Sequence, residues 1–238
     1  MGTFKFRQFS VCDDHASMKV GTDAVLLGSW THIGESRRIL DIGTGSGVIA
    51  LMMAQRSLPH SHIDAVELLK SDSRQAAENI ASSPWPQKVA VITTDLLDFK
   101  PGIKYDLIVC NPPYFSGSLL PAMAARGIAR HDLLLTQSTL LESVVRLLST
   151  AGAFSLILPV SEGDAFVVLS ETMKLMLHRY TRFYSRRHKP QERSLLEFRF
   201  RTSGLIEDSM TLYGEGAQWT HPYTQLTKDF YLSTHKEF

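Results

Sequence analysis

Short apolar runs alternate with helical patterns along most of the chain, and the period of each pattern predicts its element. Runs of five or six residues rich in branched apolar side chains are typical of buried strands. Such runs lie at residues 38–42, 63–67, 89–93, 105–110 and 153–158. Apolar positions at helical spacing lie at residues 48–57, 71–81, 136–149 and 162–177. Short buried strands separated by helices predict βαβ units, and therefore a doubly wound, Rossmann-like α/β fold.

The pattern changes after residue 177, where two further strands follow each other without a helix between them. Residues 180–185 and 194–200 are predicted to form an antiparallel hairpin around the basic loop 186–192. The sheet is thus expected to have seven strands, mostly parallel, with the last one antiparallel. Near the N-terminus, residues 3–11 are predicted to be extended, and residues 21–31 to form a helix capped by Thr22 or Asp23.

The composition excludes several classes of protein. The chain has 238 residues, of which 44% are hydrophobic and 21% charged, which argues against a disordered chain, a fibre or a coiled coil. No apolar run approaches the ~20 residues that a membrane helix needs. The first residues also lack the apolar core of a secretory signal. Cys12 and Cys110 form no disulfide or zinc framework, so we expect a cytoplasmic protein that does not bind membranes.

The chain contains no repeat, low-complexity tract or linker, so we expect one globular domain overall. Its α/β part covers residues 38–204. Residues 1–37 precede it as an extended segment and a helix. Residues 205–238 follow it as an extension to which the sequence assigns no role.

Basic residues are concentrated in one stretch, although the formal charge of the whole chain is only +1. Between Arg179 and Arg201 there are eight Arg or Lys residues against two Glu residues, a local charge of +6. This excess favours contact with a nucleic-acid backbone. A solvated loop is the alternative interpretation, because charge runs usually face water.

Three glycines follow the strand 38–42 at alternate positions: Gly43, Gly45 and Gly47. Glycines permit a tight turn and let a ligand lie against backbone N–H groups at a helix N-terminus. With Ala50, the spacing also satisfies the dinucleotide fingerprint G-x-G-x-x-G/A. Glu67, at the end of the next strand, is placed to hold ribose hydroxyls. The turn and Glu67 therefore suit either a nicotinamide dinucleotide or S-adenosylmethionine (SAM).

Two aspartates favour SAM over the dinucleotide. Asp41 precedes the first glycine, where a carboxylate suits the ammonium group of SAM but repels a pyrophosphate. Asp95 follows the strand 89–93, at the sheet edge where α/β proteins bind ligands, and is placed to accept a hydrogen bond from an adenine amino group. A turn or cap aspartate is the alternative interpretation of Asp95.

The sequence Asn111-Pro112-Pro113-Tyr114 directly follows the strand 105–110. Two prolines end the strand and stiffen the loop, so that its polar groups point in fixed directions. The Asn111 side-chain oxygen and the Pro112 carbonyl are able to accept hydrogen bonds from one planar NH2 group, and Tyr114 offers a ring for stacking. Accepting both N–H bonds draws electron density toward a weakly nucleophilic nitrogen. The loop therefore predicts methyl transfer by positioning and electrostatics, without a metal.

In this order and spacing, these motifs resemble class I SAM-dependent methyltransferases that act on amino groups. The chain is further similar to the bacterial tRNA1(Val) adenine N6-methyltransferase family over most of residues 4–200. The segments that carry this similarity are residues 4–9, 18–28, 65–67, 78–80 and 129–131. The resemblance implies methylation of N6 of adenosine 37, beside the anticodon of a valine tRNA, with SAM converted to S-adenosylhomocysteine. It also implies that residues 1–37 cover the cofactor site.

The resemblance implies roles for particular residues. Those implied to hold SAM are Lys19, Thr22, Asp23, Asp41, Gly43, Gly45, Gly47, Glu67, Asp95, Leu96 and Asn111. Those implied to hold the adenine are Asn111, Pro112, Pro113 and Tyr114. From their charge and their place in loops, the residues predicted to contact RNA are Arg126, Arg130, His131, Arg186, Arg187, Lys189 and Arg193. We expect the partner to be a tRNA anticodon loop and the protein to be a monomer without an obligate protein partner.

Other functions are still open at this point. The Asn-Pro-Pro loop also suits the planar amide of a glutamine in a protein substrate. Enzymes of that kind usually carry a separate helical N-terminal domain, whereas only about 37 residues precede the first strand here. Methylation of guanine N2 in ribosomal RNA uses a similar loop. A SAM- and RNA-binding protein without catalysis and a nicotinamide oxidoreductase complete the alternatives.

Overall fold

The computed structural model describes residues 2–113 and 135–232. Its strands are β1 (Thr3–Lys5), β2 (Ser10–Cys12), β3 (Arg38–Ile42), β4 (His62–Glu67), β5 (Val89–Thr93), β6 (Tyr105–Cys110), β7 (Leu148–Pro159), β8 (Met176–Arg186), β9 (Arg193–Arg199) and β10 (Ile206–Tyr213). Its helices are α1 (Thr22–Trp30), α2 (Val48–Arg56), α3 (Lys70–Ala81), α4 (Gln137–Leu147), α5 (Val160–Thr172) and α6 (His221–Thr227). Within these two ranges, no helix has the length and apolar character needed to cross a membrane.

The strands β3 to β10 form one sheet, in the order β10-β8-β9-β7-β6-β3-β4-β5. Neighbouring strands from β3 to β7 are parallel. Strand β9 runs antiparallel to both β7 and β8. The mostly parallel sheet and the antiparallel hairpin are therefore confirmed.

The expected number of seven strands is wrong, because β10 joins the sheet as an eighth. It pairs in parallel with β8, with Met210 opposite Phe183 and Tyr213 opposite Arg186. The first four residues of β10 are exposed and only Leu212 is buried, so the strand shows little of the alternation that identifies strands in a sequence. Strand β10 forms because β8 presents an edge of backbone hydrogen-bonding groups.

Apolar cores lie on both faces of the sheet. On one face, α1, α2 and α6 bury Leu27, Leu51 and Tyr223. On the other face, α4 and α5 bury Leu141 and Phe166. Helices therefore cover both faces of the sheet, which confirms the doubly wound α/β fold.

Helix boundaries differ from the prediction by one or two residues in most cases, and two differences have a structural reason. The helix predicted over residues 162–177 ends at Thr172, after which Lys174 has a φ of 57° and the chain enters β8 at Met176. No glycine or proline marks this end, so the apolar pattern of the helix runs on into the strand. Helix α1 has Gly21 as its N-cap without a side-chain hydrogen bond, so neither residue predicted to cap it does so.

The N-terminal segment predicted to be extended is a hairpin of β1 and β2, and its end is fixed beside the glycine turn. Asn79 on α3 makes the connection. Its Nδ2 donates to the carbonyls of Cys12 and Ser46 at 2.7 and 2.8 Å, and its Oδ1 accepts from the Cys12 N–H at 2.9 Å. This amide holds β2 next to the turn after β3, so that the following residues border the carboxyl edge of the sheet.

Candidate active site

A cavity of about 1000 Å³ opens at the edge of the sheet where the parallel strands end. Open α/β sheets bind ligands at this edge. The lining comes from residues 17–24, from the turns after β3 to β6, and from β8 to β10 with the hairpin loop. Of the residues predicted for the site, the cavity brings together Lys19, Thr22, Asp23, Gly43, Gly45, Glu67, Asp95, Leu96, Asn111, Pro113 and Arg193.

Glu67 and the glycine turn hold each other in place. The Glu67 carboxylate accepts the Gly45 N–H at 2.9 Å through Oε2 and the Leu69 N–H at 3.0 Å through Oε1. Burial raises the pKa of Glu67, and these backbone donors oppose the shift. A carboxylate fixed in this way, beside the backbone of the turn, suits the hydroxyl donors of a ribose.

Gly47 closes the turn beneath the cavity. Its φ is 84°, and its N–H donates to the Thr44 carbonyl at 2.8 Å. A Cβ at this position would lie 3.3 Å from the Cβ of Ala76 on α3. Gly47 is buried and does not line the cavity, so its assignment to the cofactor rests on the shape of the turn.

Asp41 lies below the surface of the cavity. It is 1% exposed, and its Oδ2 accepts the Thr44 hydroxyl at 2.6 Å. Burial raises the pKa of Asp41 to about 7, and the charge of Glu67 adds to the shift. Thr44 lines the cavity in its place, and contact between Asp41 and a ligand ammonium stays a prediction.

Asp95 begins the turn after β5. Its Oδ1 accepts the Leu97 N–H at 2.8 Å, and its backbone carbonyl accepts the Asp98 N–H at 3.1 Å. Asp95 is therefore a turn aspartate, and it also lines the cavity together with Leu96. The turn fixes the carboxyl at the cavity, so the structural interpretation and the binding interpretation of this residue are compatible.

Asn111 follows β6, which lies near the middle of the sheet between β3 and β7. Asn111 and Pro113 line the cavity, while Pro112 is buried behind them. Along the sheet, Asn111 therefore lies between two groups of lining residues. We call the part lined by Gly43, Gly45, Glu67, Asp95 and Leu96 the glycine-turn half. We call the part lined by Phe183, Ser185, Glu192, Arg193 and Leu212 the hairpin half.

Residues 13–20 border the cavity and are held by two aspartates. The Asp13 carboxylate accepts the Val20 N–H at 2.9 Å, and Lys19 Nζ donates to the Asp13 carbonyl at 2.6 Å. Buried Asp72 on α3 accepts the Ser17 N–H at 3.0 Å and the Ser17 hydroxyl. The position predicted for Lys19 at the site therefore depends on Asp13 and Asp72.

Sequence reasoning missed this supporting role of α3. Asp72 lies on one face of α3 with Ala76 and Ile80, at spacings of four residues, and all three are buried. The sequence did contain a signal for this role, because Asp72 is a carboxylate at a helical position that otherwise carries apolar residues.

The hairpin half has an apolar floor and a polar rim. Phe183 and Leu212 are buried. At the rim, the Ser185 hydroxyl donates to the Glu192 carboxylate. Arg193 Nε donates to the Asp23 carboxylate at 2.8 Å and so joins β9 to α1.

Most of the arginines between residues 179 and 201 are engaged within the protein. They form the ion pairs Arg179–Asp208 (3.6 Å), Arg182–Glu207 (2.7 Å) and Arg199–Glu197 (2.7 Å). Arg186 donates to the Gly216 carbonyl at 2.6 Å. The local charge of +6 therefore overstates the basic character of this region, because two of the neutralising carboxylates belong to β10.

The hairpin loop keeps part of the predicted basic surface. Arg187 and Lys189 are exposed, and the loop that carries them lies at the same edge of the sheet as the cavity. Tyr114, Arg126, Arg130 and His131 lie outside the described residues.

Solved structures with this arrangement of strands and helices are methyltransferases. A protein of Agrobacterium tumefaciens described as a predicted O-methyltransferase has a TM-score of 0.64 and 17% identity, over 87% of this chain and 96% of that one. A glycopeptide N-methyltransferase complexed with SAM has a TM-score of 0.54 and 15% identity, over 79% and 96%. The chain thus has the fold of class I methyltransferase domains.

The family is given by sequence. The methyltransferase small domain family matches residues 15–155. A protein of Pectobacterium carotovorum named tRNA1(Val) (adenine(37)-N6)-methyltransferase is 42% identical over 96% of this chain and 93% of its own length. Its namesake from Tolumonas auensis is 43% identical over 97% of both chains. The chain belongs to the tRNA1(Val) (adenine(37)-N6)-methyltransferase family.

Proposed function

We propose that the protein transfers the methyl group of SAM to the N6 amine of adenosine 37 in tRNA1(Val) and releases S-adenosylhomocysteine. The observation that carries this proposal is that Asn111 and Pro113 line the same cavity as both halves, and that they follow β6, which lies in the sheet between the strands of the one half and those of the other. A cofactor in the glycine-turn half and a base in the hairpin half would meet at these residues. The names of the relatives support the choice of tRNA and of adenosine 37.

The glycine-turn half offers the groups that SAM requires. The Glu67 carboxylate suits ribose hydroxyls, the Asp95 carboxylate suits an adenine amino group, and the backbone of the turn suits a carboxylate. The raised pKa values of Asp41 and Glu67 reflect buried carboxyls whose charge a cationic ligand would stabilise. When bound, SAM supplies a methyl group activated by the positive sulfur.

Asn111 and Pro112 act on the acceptor amine. The lone pair of an exocyclic adenine amine is delocalised into the ring, so the nitrogen is a poor nucleophile. The Asn111 side-chain oxygen and the Pro112 carbonyl accept its two N–H bonds, which draws charge to the nitrogen and fixes its direction. Tyr114 supplies a ring on which the base stacks. The methylated amine is acidic and loses its proton to solvent without a dedicated base.

The RNA backbone is held at the edge of the cavity. Arg187 and Lys189 are exposed in the hairpin loop, and Arg193 lines the hairpin half. These side chains, with Arg126 and Arg130 in the sequence after β6, supply the charge for phosphates around a splayed-out nucleotide. We also propose that the protein acts on its tRNA as a monomer in the cytoplasm.

The test offers methyl-labelled SAM and three classes of acceptor to the protein. These are tRNA from cells that lack the modification, release factors and ribosomal subunits. We expect label to appear as N6-methyladenosine in valine tRNA. Label in a protein glutamine, or as N2-methylguanosine, would overturn the proposed substrate. Absence of label from every acceptor, with SAM still bound, would overturn the proposed catalysis.

A further inference from the structure

Among the described residues of the C-terminal extension, Leu212 lines the active-site cavity. Leu212 on β10 is 8% exposed, and it lines the hairpin half together with Phe183 on β8, which is 3% exposed. The other residues of β10 face solvent or are only partly buried. Leu212 is therefore the residue through which β10 contributes to the cavity lining.

The register of β8 and β10 explains why these residues meet. Met210 lies opposite Phe183 and Tyr213 lies opposite Arg186, so Leu212 lies opposite Ser185. Side chains two residues apart on a strand share a face, which puts Phe183, Ser185 and Leu212 on one side of the sheet.

Leu212 is fixed from two directions. Its carbonyl accepts the Thr220 N–H at 2.9 Å, just before α6. Before Leu212 on β10, Met210 pairs with Phe183 of β8. After Leu212, Arg186 of β8 donates to the Gly216 carbonyl at 2.6 Å. The backbone on both sides of Leu212 is thus part of the hydrogen-bonded sheet edge, and the side chain is held in the cavity without loop flexibility.

The position of Leu212 relative to Asn111 assigns it to the acceptor side. Strands β8 and β10 lie on the opposite side of β6 from β4 and β5, which carry Glu67 and precede Asp95. The floor formed by Phe183 and Leu212 is apolar, and its rim carries Ser185, Glu192 and Arg193. A purine has the matching character, with apolar ring faces and polar edges.

We propose that Leu212 is a specificity-determining residue of the acceptor site, where it forms with Phe183 the apolar wall that receives the ring of the splayed-out adenosine. This inference rests on the proposed function and gives the C-terminal extension a part in it. Leu212 excludes water from the base and limits the depth to which a ring enters, while Asn111 holds the amine.

The test compares Leu212→Ala and Leu212→Val with Leu226→Ala, which truncates a partly buried leucine of α6 outside the cavity. We measure kcat and KM with unmodified tRNA and the Kd for SAM by calorimetry. Removing part of the wall is expected to lower kcat/KM about tenfold for Leu212→Ala and less for Leu212→Val, mainly through KM. The Kd for SAM is expected to stay within about twofold of wild type for all three variants.

A second readout does not depend on turnover. An anticodon stem-loop with 2-aminopurine in place of the target adenosine gains fluorescence when that base leaves the stack. We expect the wild type and Leu226→Ala to raise the fluorescence, and Leu212→Ala to bind the stem-loop more weakly. If Leu212→Ala fails to fold, Leu212→Val is compared with the wild type and Leu226→Ala in the same binding experiment.

Two results would overturn this inference while leaving the proposed function intact. One is equal kcat/KM for the Leu212 variants, Leu226→Ala and wild type. The other is an equal loss of SAM affinity and tRNA affinity, which a merely structural role predicts. Absence of tRNA methylation by the wild type would instead contradict the proposed function and this inference together.

Discussion

Asn111 is the residue on which the proposed chemistry depends most. It lines the cavity at the end of β6, and its amide oxygen is the acceptor that would hold the substrate amine. Neighbouring Pro112 is buried, and its proposed role uses the backbone carbonyl, which a side-chain substitution leaves in place. The amide of Asn111 is therefore the part of this pair that a single substitution removes cleanly.

Asn111→Ala is expected to lower kcat with tRNA by about 10²–10³-fold, because one of the two hydrogen bonds to the amine is lost. The Kd for SAM should change little, since Glu67, Asp95 and the glycine turn are untouched. Single-turnover methylation and calorimetry measure the two quantities. A variant that keeps full turnover would show that Asn111 does not hold the amine.

Asp41 predicts a pH dependence of stability. The pKa of its carboxyl is about 7 in the folded protein, because burial disfavours the charged form, against 3.8 as the ordinary value. Between these two values the folded state binds more protons than the unfolded state, so this group lowers the free energy of unfolding as pH rises from about 4 to about 7.

The Asp41→Asn variant removes this titration and keeps an acceptor for the Thr44 hydroxyl. Its free energy of unfolding, measured in urea without SAM, should fall less steeply than that of wild type between pH 5 and about pH 7. Equal slopes for the two proteins would contradict a raised pKa of Asp41.

At the scale of elements, the turn between β3 and α2 has three left-handed glycines, and Gly47 is the one that packs against α3. Gly47 has a φ of 84° and lies close to Ala76, whereas Gly102 has a φ of 71° with open space around it. Both positions disfavour a side chain through φ, but a Cβ on Gly47 also meets α3. The two glycines thus separate backbone strain from packing.

Gly102→Ala is expected to cost about 1 kcal/mol of unfolding free energy, from the left-handed backbone alone. Gly47→Ala should cost at least about 1 kcal/mol more, because its Cβ presses on Ala76. Urea denaturation of both variants measures the difference. Equal losses of unfolding free energy for the two variants would show that α3 shifts to accommodate the added Cβ without cost.

Elements with a local signal were predictable, and elements created by distant pairing were not. Strands β3, β5 and β6 have the predicted bounds because each is a short apolar run between polar turns. Strand β10 was missed because its hydrogen-bonding partner, β8, lies some way back in the chain and its outward side chains are polar.

In the candidate site, too, features with a local sequence signal were predictable and features created by distant contacts were not. The glycine turn and the loop at Asn111 carry their chemistry in consecutive residues, so sequence reasoning found them. Leu212 and the support from Asp72 depend on which strands and helices meet, and this is set only when the chain folds. The basic character predicted for residues 179–201 was too high for the same reason, because folding brings the acidic side chains of β10 beside β8.

At the scale of the whole molecule, the two ends of the described chain close on each other. The Arg7 N–H donates to the Phe230 carbonyl at 2.8 Å, and Phe6 forms an isolated bridge with Tyr231. Phe230 is 1% exposed and belongs to the same core as α1 and α2. The C-terminal segment is thereby joined to the β1–β2 hairpin.

Phe230→Ala is expected to lower the free energy of unfolding by about 3–5 kcal/mol, because it leaves a void in this core. Leu232→Ala is the control: that side chain is 62% exposed, so truncating it should change stability by less than about 0.5 kcal/mol. Urea denaturation compares the two. Similarly small changes in the unfolding free energy of both variants would mean that Phe230 does not contribute to the stability of the core.

The central claim is that this cavity methylates N6 of adenosine 37 in tRNA1(Val). The most direct measurement uses an unmodified tRNA1(Val) transcript and an otherwise identical transcript with guanosine at position 37. Each is incubated with SAM and the protein, digested and read by mass spectrometry. We expect one N6-methyladenosine at position 37 of the first transcript and no methyl group on the second. Equal methylation of both transcripts, or a methyl group at another nucleotide, would contradict the claim.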